Sequence, residues 1–420
     1  MIPYTLRGGL LAVLLLSLSA SAGPLSRGGW GQLEWTANAA DAGRGGTGLA
    51  ISDSLRIPLR NPAAVSGGRL TRIQLGLGAR GLTAIDNTTS TSDVTGSFDQ
   101  FYLSFPLTWN RVSASLGLRP WSRMDFSLRN HDSNSEGEEY YEFLKGSGGF
   151  SLATVTFARD WPAQNLKVGL ETGLIFGSLR QEYSLYHVQV APPFDVRTNY
   201  RLGMVGPSLR LGALWQPTPE LGLGIAGNLP TRARLSLDRE SASNNDDSRQ
   251  ALGHVNVPLT IDLGAALRQN TIRWLADLSW SDWSSTQLAG NSAADLSLAR
   301  RQDSALSLAL GVERLHEDDF TLAWYRKWDW RTGLRFEQGY LAYNKAALLG
   351  GADEYKDVNL LSLGAGCSIP TRDRLGWMDL GFEYTLSGDK AGLGLEEQGW
   401  RLHASFAGSD LWFRRPVYNR

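Results

Sequence analysis

From residue 72 onward apolar side chains return at every second position, segment after segment. Ile73, Leu75, Leu77 and Ala79 form one row, while Gln74, Gly76, Gly78 and Arg80 form the other. Leu209, Leu211 and Ala213 likewise oppose Ser208, Arg210 and Gly212, and Leu259, Ile261, Leu263 and Ala265 oppose Thr260, Asp262, Gly264 and Ala266. Ile272, Trp274, Ala276, Leu278 and Trp280 oppose Arg273, Asp277 and Ser279; Leu306, Leu308, Leu310 and Val312 oppose Ser307, Ala309, Gly311 and Glu313. Near the end Met378, Leu380, Phe382, Tyr384 and Leu386 oppose Asp379, Glu383 and Thr385. Side chains alternate across a strand, so each segment reads as a β-strand with one oily face and one small or polar face. Helical periodicity is largely absent between Leu70 and Phe406.

Two all-β folds accept such strands, a soluble sandwich and a transmembrane antiparallel β-barrel. A sandwich does not need aromatic residues collected at strand ends. Here Trp109, Trp161, Trp215 and Trp377 flank short turns, as an interfacial girdle requires. Strands are predicted at 69–81, 99–109, 111–128, 147–159, 166–187, 205–216, 219–238, 257–267, 271–281, 303–314, 319–339, 358–369, 376–387 and 398–406. The connectors between them alternate between short turns and long polar loops (82–98, 129–146, 188–204, 239–256, 282–302, 340–357 and 388–397). An even strand count with short turns on one side and longer loops on the other is the pattern of an outer-membrane barrel. The region from Phe320 to Tyr340 is read as one long strand, because cutting it at Asp329 would make fifteen strands. If the last strand continues to Phe413, a bulge is required around Gly408.

In a barrel the charged row faces the lumen. Arg72, Arg210, Asp262, Arg273, Asp277, Glu313, Asp379, Glu383 and Arg401 are therefore candidate lumen residues. Arg273 and Asp277 share a face and can shape the lumen or satisfy one another.

The N-terminus reads as a secretory signal peptide, residues 1–22: one cation at Arg7, an apolar run from Leu10 to Leu18, then the small-x-small pattern Ala20-Ser21-Ala22. The run is too short to span a bilayer as a helix. After it no window of 18 apolar residues occurs, which excludes a helical membrane protein. A net charge of -1 argues against a nucleic-acid partner, and the lone Cys367 excludes both an intramolecular disulfide framework and a multi-cysteine metal site. An exported membrane barrel places the chain in the outer membrane of a Gram-negative-type cell, with residues 69–413 forming the barrel and 414–420 a basic C-terminal tail.

Residues 23–68 lack a sustained strand pattern. A fourteen-strand cylinder is too wide to be filled by its own side chains, so this segment is expected to fold inside the lumen as a hatch. Gly43, Gly45 and Gly48 spell Gly-x-Gly-x-x-Gly. No hydrophobic strand precedes them and no Lys follows Gly48, so they suit tight turns and close packing better than a nucleotide. "ADAGRGGTGLAISD" followed by "LRNPAAVSGG", ahead of fourteen strands, resembles the outer-membrane long-chain fatty acid transporter family, including its type IX secretion-associated relatives. The resemblance implies a monomeric barrel plugged by an N-terminal hatch, with Asn61, Pro62 and Ala63 shaping the hatch near the wall. It implies passive movement of hydrophobic small molecules such as long-chain fatty acids, coupled to a hatch change. Gly43, Gly45, Gly46, Gly48, Asn61, Pro62 and Ala63 are the hatch and gating candidates. The basic tail leans toward the secretion-associated relatives.

Enzymatic chemistry is not expected. His131, His187, His254, His316 and His403 are scattered without metal-ligand spacing, and no Gly-x-Ser-x-Gly elbow occurs. Asn244-Asn245-Asp246-Asp247 lacks the later Gly and Glu of a calcium loop, so no metal and no cofactor is expected. The expected partners are hydrophobic small molecules or lipids, outer-membrane lipid, and the barrel assembly machinery during biogenesis. The competing reading is a structural or protein-secretion barrel that binds protein partners; a general porin is a third.

Overall fold

The computed structural model describes residues 23–410 except 28, 37, 87–89, 108–110, 134–138, 188–194, 242–247, 287–300, 303, 318–320, 322, 345–354, 373–374 and 390–394. Alternation along the chain becomes fourteen antiparallel strands. These are β1 (Thr71–Asp86), β2 (Ser90–Leu107), β3 (Val112–Arg123 continued by Phe126–Ser133), β4 (Glu139–Trp161), β5 (Leu166–His187) and β6 (Asp195–Trp215). Next come β7 (Leu221–Asn228 and Thr231–Ser241), β8 (Ser248–Val257 and Thr260–Gln269), β9 (Ile272–Asp282) and β10 (Arg301–Gln302 and Ser304–Arg314). The wall ends with β11 (Asp329–Asn344), β12 (Tyr355–Pro370), β13 (Gly376–Asp389) and β14 (Leu395–Asp410).

Each strand pairs with its neighbour, and β14 pairs with β1 along its length, from Leu395↔Asp86 to Asp410↔Thr71. Closure leaves no free sheet edge, as a lipid environment demands. The apolar rows point outward. Leu278, Leu308, Leu310, Leu334, Phe336, Leu363 and Phe382 are all exposed, while Arg72, Asp262, Glu313, Asp379 and Glu383 are buried. A closed barrel with an oily outer face and a polar inner one is a multi-pass outer-membrane barrel.

Several boundaries differ from the sequence expectation. Residues assigned to long loops belong largely to strands: β1 runs to Asp86, β2 begins at Ser90 and β4 spans 23 residues. A membrane-crossing strand needs only about 9 to 11 residues, so the wall rises beyond the bilayer, where the outer face no longer has to be apolar and alternation fades. The strand predicted at 319–339 starts at Asp329 instead. Residues 324–326 form a 3-10 turn, and this turn-side connector is longer than expected. β11 is irregular against β12, with a register shift between Gln338 and Ala342. Trp377 is not a girdle residue: it is 5 % exposed, faces inward, and stacks under Arg56 at 4.2 Å. Met378 takes the outward position. β14 passes Gly408 with unbroken register, and the tail lies outside the described residues, as do Trp109 and the Asn244 to Asp247 stretch.

Among the described residues three interruptions break the wall. β7 and β8 break side by side, at Leu229-Pro230 and Pro258-Leu259, where proline lacks the N–H a ladder requires. β3 breaks at Met124-Asp125. There Gln32-Leu33 of the pre-barrel segment pairs with Arg123 and Ser122, and Glu34 N–H donates to Trp121 O at 3.1 Å.

Candidate functional site

Residues 38–67 contain one short helix, α1 (Ala39–Gly43), and a 3-10 turn, Pro62–Gly67. Asn38 caps α1 by accepting Asp41 N–H at 2.7 Å, and Asn61 caps the second turn by accepting Ala63 N–H at 3.0 Å with Pro62 in the first turn. These are the residue types that satisfy the free amides opening a helical turn. Both pieces are too short to stand alone and are held by the inner face of the wall.

The wall meets them with glycines. Gly381 and Gly366 are register partners, as are Gly364 and Gly333, Gly333 and Gly311, Gly264 and Gly224, and Gly212 and Gly169. The segment follows this belt from strand to strand. A methyl placed on Gly381 would lie 3.1 Å from the Ala39 carbonyl carbon, on Gly364 2.9 Å from Gly45 N, and on Gly311 2.8 Å from Arg44 O. On Gly224 it would lie 2.6 Å from Leu49 O, and on Gly212 2.7 Å from Pro62 Cδ. The segment therefore packs against bare wall glycines on eight strands, its backbone meeting theirs on six of them (β5, β7, β10, β11, β12 and β13), a closeness that any side chain would prevent. Gly45 (φ +66°) and Gly48 (φ +140°) supply the bends that keep the segment on this track. Gly46 also has positive φ, at +83°, and Gly43 closes α1 against Arg331 and Gly366. The glycines that spell a nucleotide pattern are thus surrounded by protein.

Asn61 is fully buried, and its Nδ2 faces three carbonyls: Leu49 at 3.2 Å, Ala213 of β6 at 3.0 Å and Ile225 of β7 at 3.4 Å. One side chain thereby caps its own turn and ties it to two strands. Ala63 and Ala64 pack with Ala50, Ile51, Leu214, Ala266 and Leu275.

All nine candidate lumen residues face inward, and most reach the segment directly. Arg72 donates to the carbonyls of Asp53 (3.1 Å), Arg56 (2.9 Å) and Val65 (2.5 Å). Arg210 bonds Asp262 and Arg60 O, the latter at 2.9 Å. Asp277 accepts Gly48 N–H at 2.9 Å and Leu49 N–H at 3.0 Å, while Arg273 turns to Glu313 at 3.1 Å, so these two do not satisfy one another. Glu313 also takes Arg331 (3.0 Å) and Arg44 (3.5 Å); Asp379 takes Arg331, Ser368 and Arg56. Glu383 accepts from Arg335, Ser362 and Thr36, and Arg401 pairs with Glu34 at 2.6 Å.

Sequence reasoning missed the charges on the segment itself. Glu34 binds Arg80 (2.8 Å) and Arg123 (3.1 Å) besides Arg401, and Arg56 binds Asp329 at 2.6 Å. Burial pushes the Glu34 carboxyl up, but Arg401 and Arg123 outweigh it and hold it below the usual value of 4.5. Burial likewise opposes the charge of Arg44 and Arg56, and nearby carboxylates, Glu313 for one and Asp379 for the other, raise both above the ordinary arginine value. Asp329 was legible as a wall residue by parity, but nothing in the sequence pairs it with Arg56, 273 positions away. His403 meets Asp99 at 2.8 Å as an inward residue of the last strand. Among the described residues no group of three or more His, Cys, Asp and Glu is arranged to hold a metal ion.

Toward the loop end the inner face changes character. Met124, Phe126, Phe150, Leu152, Ile175, Leu179, Leu202, Met204, Leu235, Val255 and Trp283 point inward and pack with Leu25 and Trp30 of the segment. Beside them is a cavity of about 110 Å³. Leu25, Leu33, Leu82, Leu341, Val358 and Leu360 supply its apolar lining, and Arg80, Arg335 and Arg401 line it together with Glu337, Glu383 and Glu397.

Solved structures share this architecture. A FadL homologue of Pseudomonas aeruginosa aligns with 90 % of this chain and 99 % of its own at 14 % identity and a TM-score of 0.60. The Ralstonia pickettii toluene transporter TbuX covers 89 % and 98 % at 15 % identity with a TM-score of 0.57. The P. putida toluene transporter TodX covers 90 % and 99 % at 15 % identity with a TM-score of 0.57. At such identities the likeness is one of fold, and at that level the expected resemblance to outer-membrane fatty-acid transporters holds. No curated protein matches the sequence. A family model described as BamG matches residues 8–419.

Proposed function

We propose that this chain, which belongs to the BamG family and folds as an outer-membrane barrel, passively transports hydrophobic small molecules, with long-chain fatty acids as the type substrate. In this reading residues 1–22 are a removed signal peptide and residues 23–68 are a hatch inside the lumen of a barrel spanning 69–413, followed by a basic tail. Gly43, Gly45, Gly46, Gly48, Asn61, Pro62 and Ala63 seat the hatch, and the nine inward polar residues hold it. The observation that carries the reading is the apolar inner surface around Phe150, Leu179, Met204 and Leu235, beside a cavity lined by apolar side chains and by arginine–carboxylate pairs. A water-filled porin has no use for such a lining, whereas a largely apolar molecule with a polar end matches it. The fold is shared with proteins described as toluene transporters, which supports the same class of cargo.

The test is binding and uptake. Purified protein in liposomes is expected to bind a labelled fatty acid, and cells lacking the protein to take up less of it. If neither occurs, the transport reading fails. A second reading, a structural barrel that binds protein partners, draws support from the backbone contacts along the glycine belt, all of which a moving gate would have to break. Crosslinking in native membranes separates the two: a stoichiometric protein partner favours the second reading, a monomer with bound lipid the first.

A further inference from the structure

Gly23 lies against a buried acid. A Cβ built on Gly23 would overlap the Glu397 carboxylate and the Leu82 side chain. Only the bare α-carbon of glycine fits there, and its nitrogen is one covalent bond, about 1.46 Å, further on. Ser26 fixes Gly23 in place, donating to its carbonyl from N–H at 2.8 Å and from Oγ at 2.6 Å.

Glu397 is 5 % exposed and accepts Leu25 N–H at 2.5 Å. The cations lining the same cavity are committed elsewhere: Arg80 and Arg401 to Glu34, and Arg335 to Glu383 and Glu337. Among the described residues Glu397 has no cationic partner. A buried carboxylate without one is costly, and the usual remedy is an ion pair.

The sequence supplies that ion by processing. Ala20-Ser21-Ala22 marks cleavage before Gly23. Hydrolysis of the Ala22–Gly23 peptide bond by signal peptidase consumes one water, leaves a carboxylate on Ala22, and converts the neutral Gly23 amide nitrogen into a free amine that takes up a proton. We propose that Glu397 is the receptor for this new N-terminal ammonium, so that signal removal completes an ion pair on the inner wall and locks the start of the pre-barrel segment in place. The proposal rests on the signal-peptide expectation and not on what the barrel carries. The uncleaved chain has a neutral amide at this point, with further residues to accommodate where Gly23 already touches Glu397 and Leu82.

The test uses full-length mature protein, folded in detergent and confirmed as folded by its heat-modifiable gel mobility. Mass spectrometry is expected to find Gly23 as the first residue. Limiting acylation with an amine-reactive ester is expected to modify the Gly23 amine at least about tenfold more slowly in the wild type than in Glu397→Gln, the factor that one pKa unit gives to the free-amine fraction. The wild-type pH–rate profile provides a reading that needs no variant. Its midpoint is expected above the ordinary α-amine value of about 8, because a carboxylate partner raises it, whereas burial alone lowers it. A different mature N-terminus, equal rates in wild type and Glu397→Gln, or a wild-type midpoint below about 8 overturns the proposal.

Discussion

Asn61→Ala isolates the clamp between segment and wall. The substitution removes one accepted bond, from Ala63 N–H, and an amide group whose two hydrogens serve Leu49 O, Ala213 O and Ile225 O. Three net bonds at about 1 kcal/mol each, the capping bond included, come to about 3 kcal/mol. Since about 1.4 kcal/mol is a factor of ten, seating of the 61–67 turn is expected to weaken about 100-fold. Val65, 4 % exposed in the same turn, is a suitable reporter. In a Cys367→Ser background, Val65→Cys is expected to react with a maleimide about 100-fold faster when Asn61→Ala is added, while heat-modifiable mobility shows the barrel intact. Asn61→Asp keeps the capping oxygen and loses the donors, so it is expected to raise the rate as well. An unchanged labelling rate in Asn61→Ala would refute the assignment of Asn61 as the clamp.

Other outcomes follow from the same geometry. Gly364→Ala drives a methyl into Ala42 O, and overpacking of this kind costs about 1 to 3 kcal/mol; it is expected to speed labelling at Val65→Cys, whereas Gly203→Ala, which meets only the Ser236 side chain and carbonyl, is not. Asp277→Ala strands the amides of Gly48 and Leu49, at about 1 to 3 kcal/mol for each donor left unsatisfied, and is expected to raise ion conductance in planar bilayers. Glu34 has a folded pKa below 4.5, so its contribution to stability is present above that value and is lost as pH falls through the lower, folded one. Thiol labelling at Val65→Cys with 2,2′-dithiodipyridine, which reacts in acid, is expected to stay slow down to about pH 4.5 and to accelerate below it, and Glu34→Gln is expected to abolish the step.

Strands were legible because a bilayer enforces alternation: an outward Leu308 or Phe382 meets lipid while an inward Glu313 or Glu383 cannot. The same reasoning fails where lipid ends. Residues 82–86 and 90–98 stand in strand extensions longer than a bilayer crossing needs, so polarity there mimics a loop. Trp377 shows a different failure, since an aromatic next to a turn fits a girdle in the sequence, yet parity with Met378 turns it inward beneath Arg56. Pro230 and Pro258 were visible as letters, but that they interrupt neighbouring strands side by side depends on register. For the candidate site, the pre-barrel glycines stood out by position, and the role of Asn61-Pro62-Ala63 came with the family resemblance. Their partners did not stand out, because Gly364 or Asp277 looks like any other inward strand residue until the chain is folded.

Closure of the barrel sets Arg80 of the first strand directly opposite Arg401 of the last. Two like charges across a ladder repel, and the acid that reconciles them, Glu34, belongs to neither strand. The seam of the wall is therefore electrostatically incomplete without a residue that precedes the wall in the chain. Zipping the cylinder shut and placing its N-terminal segment are in that sense a single step, and a barrel assembled from residues 69 onward would close without Glu34 between Arg80 and Arg401.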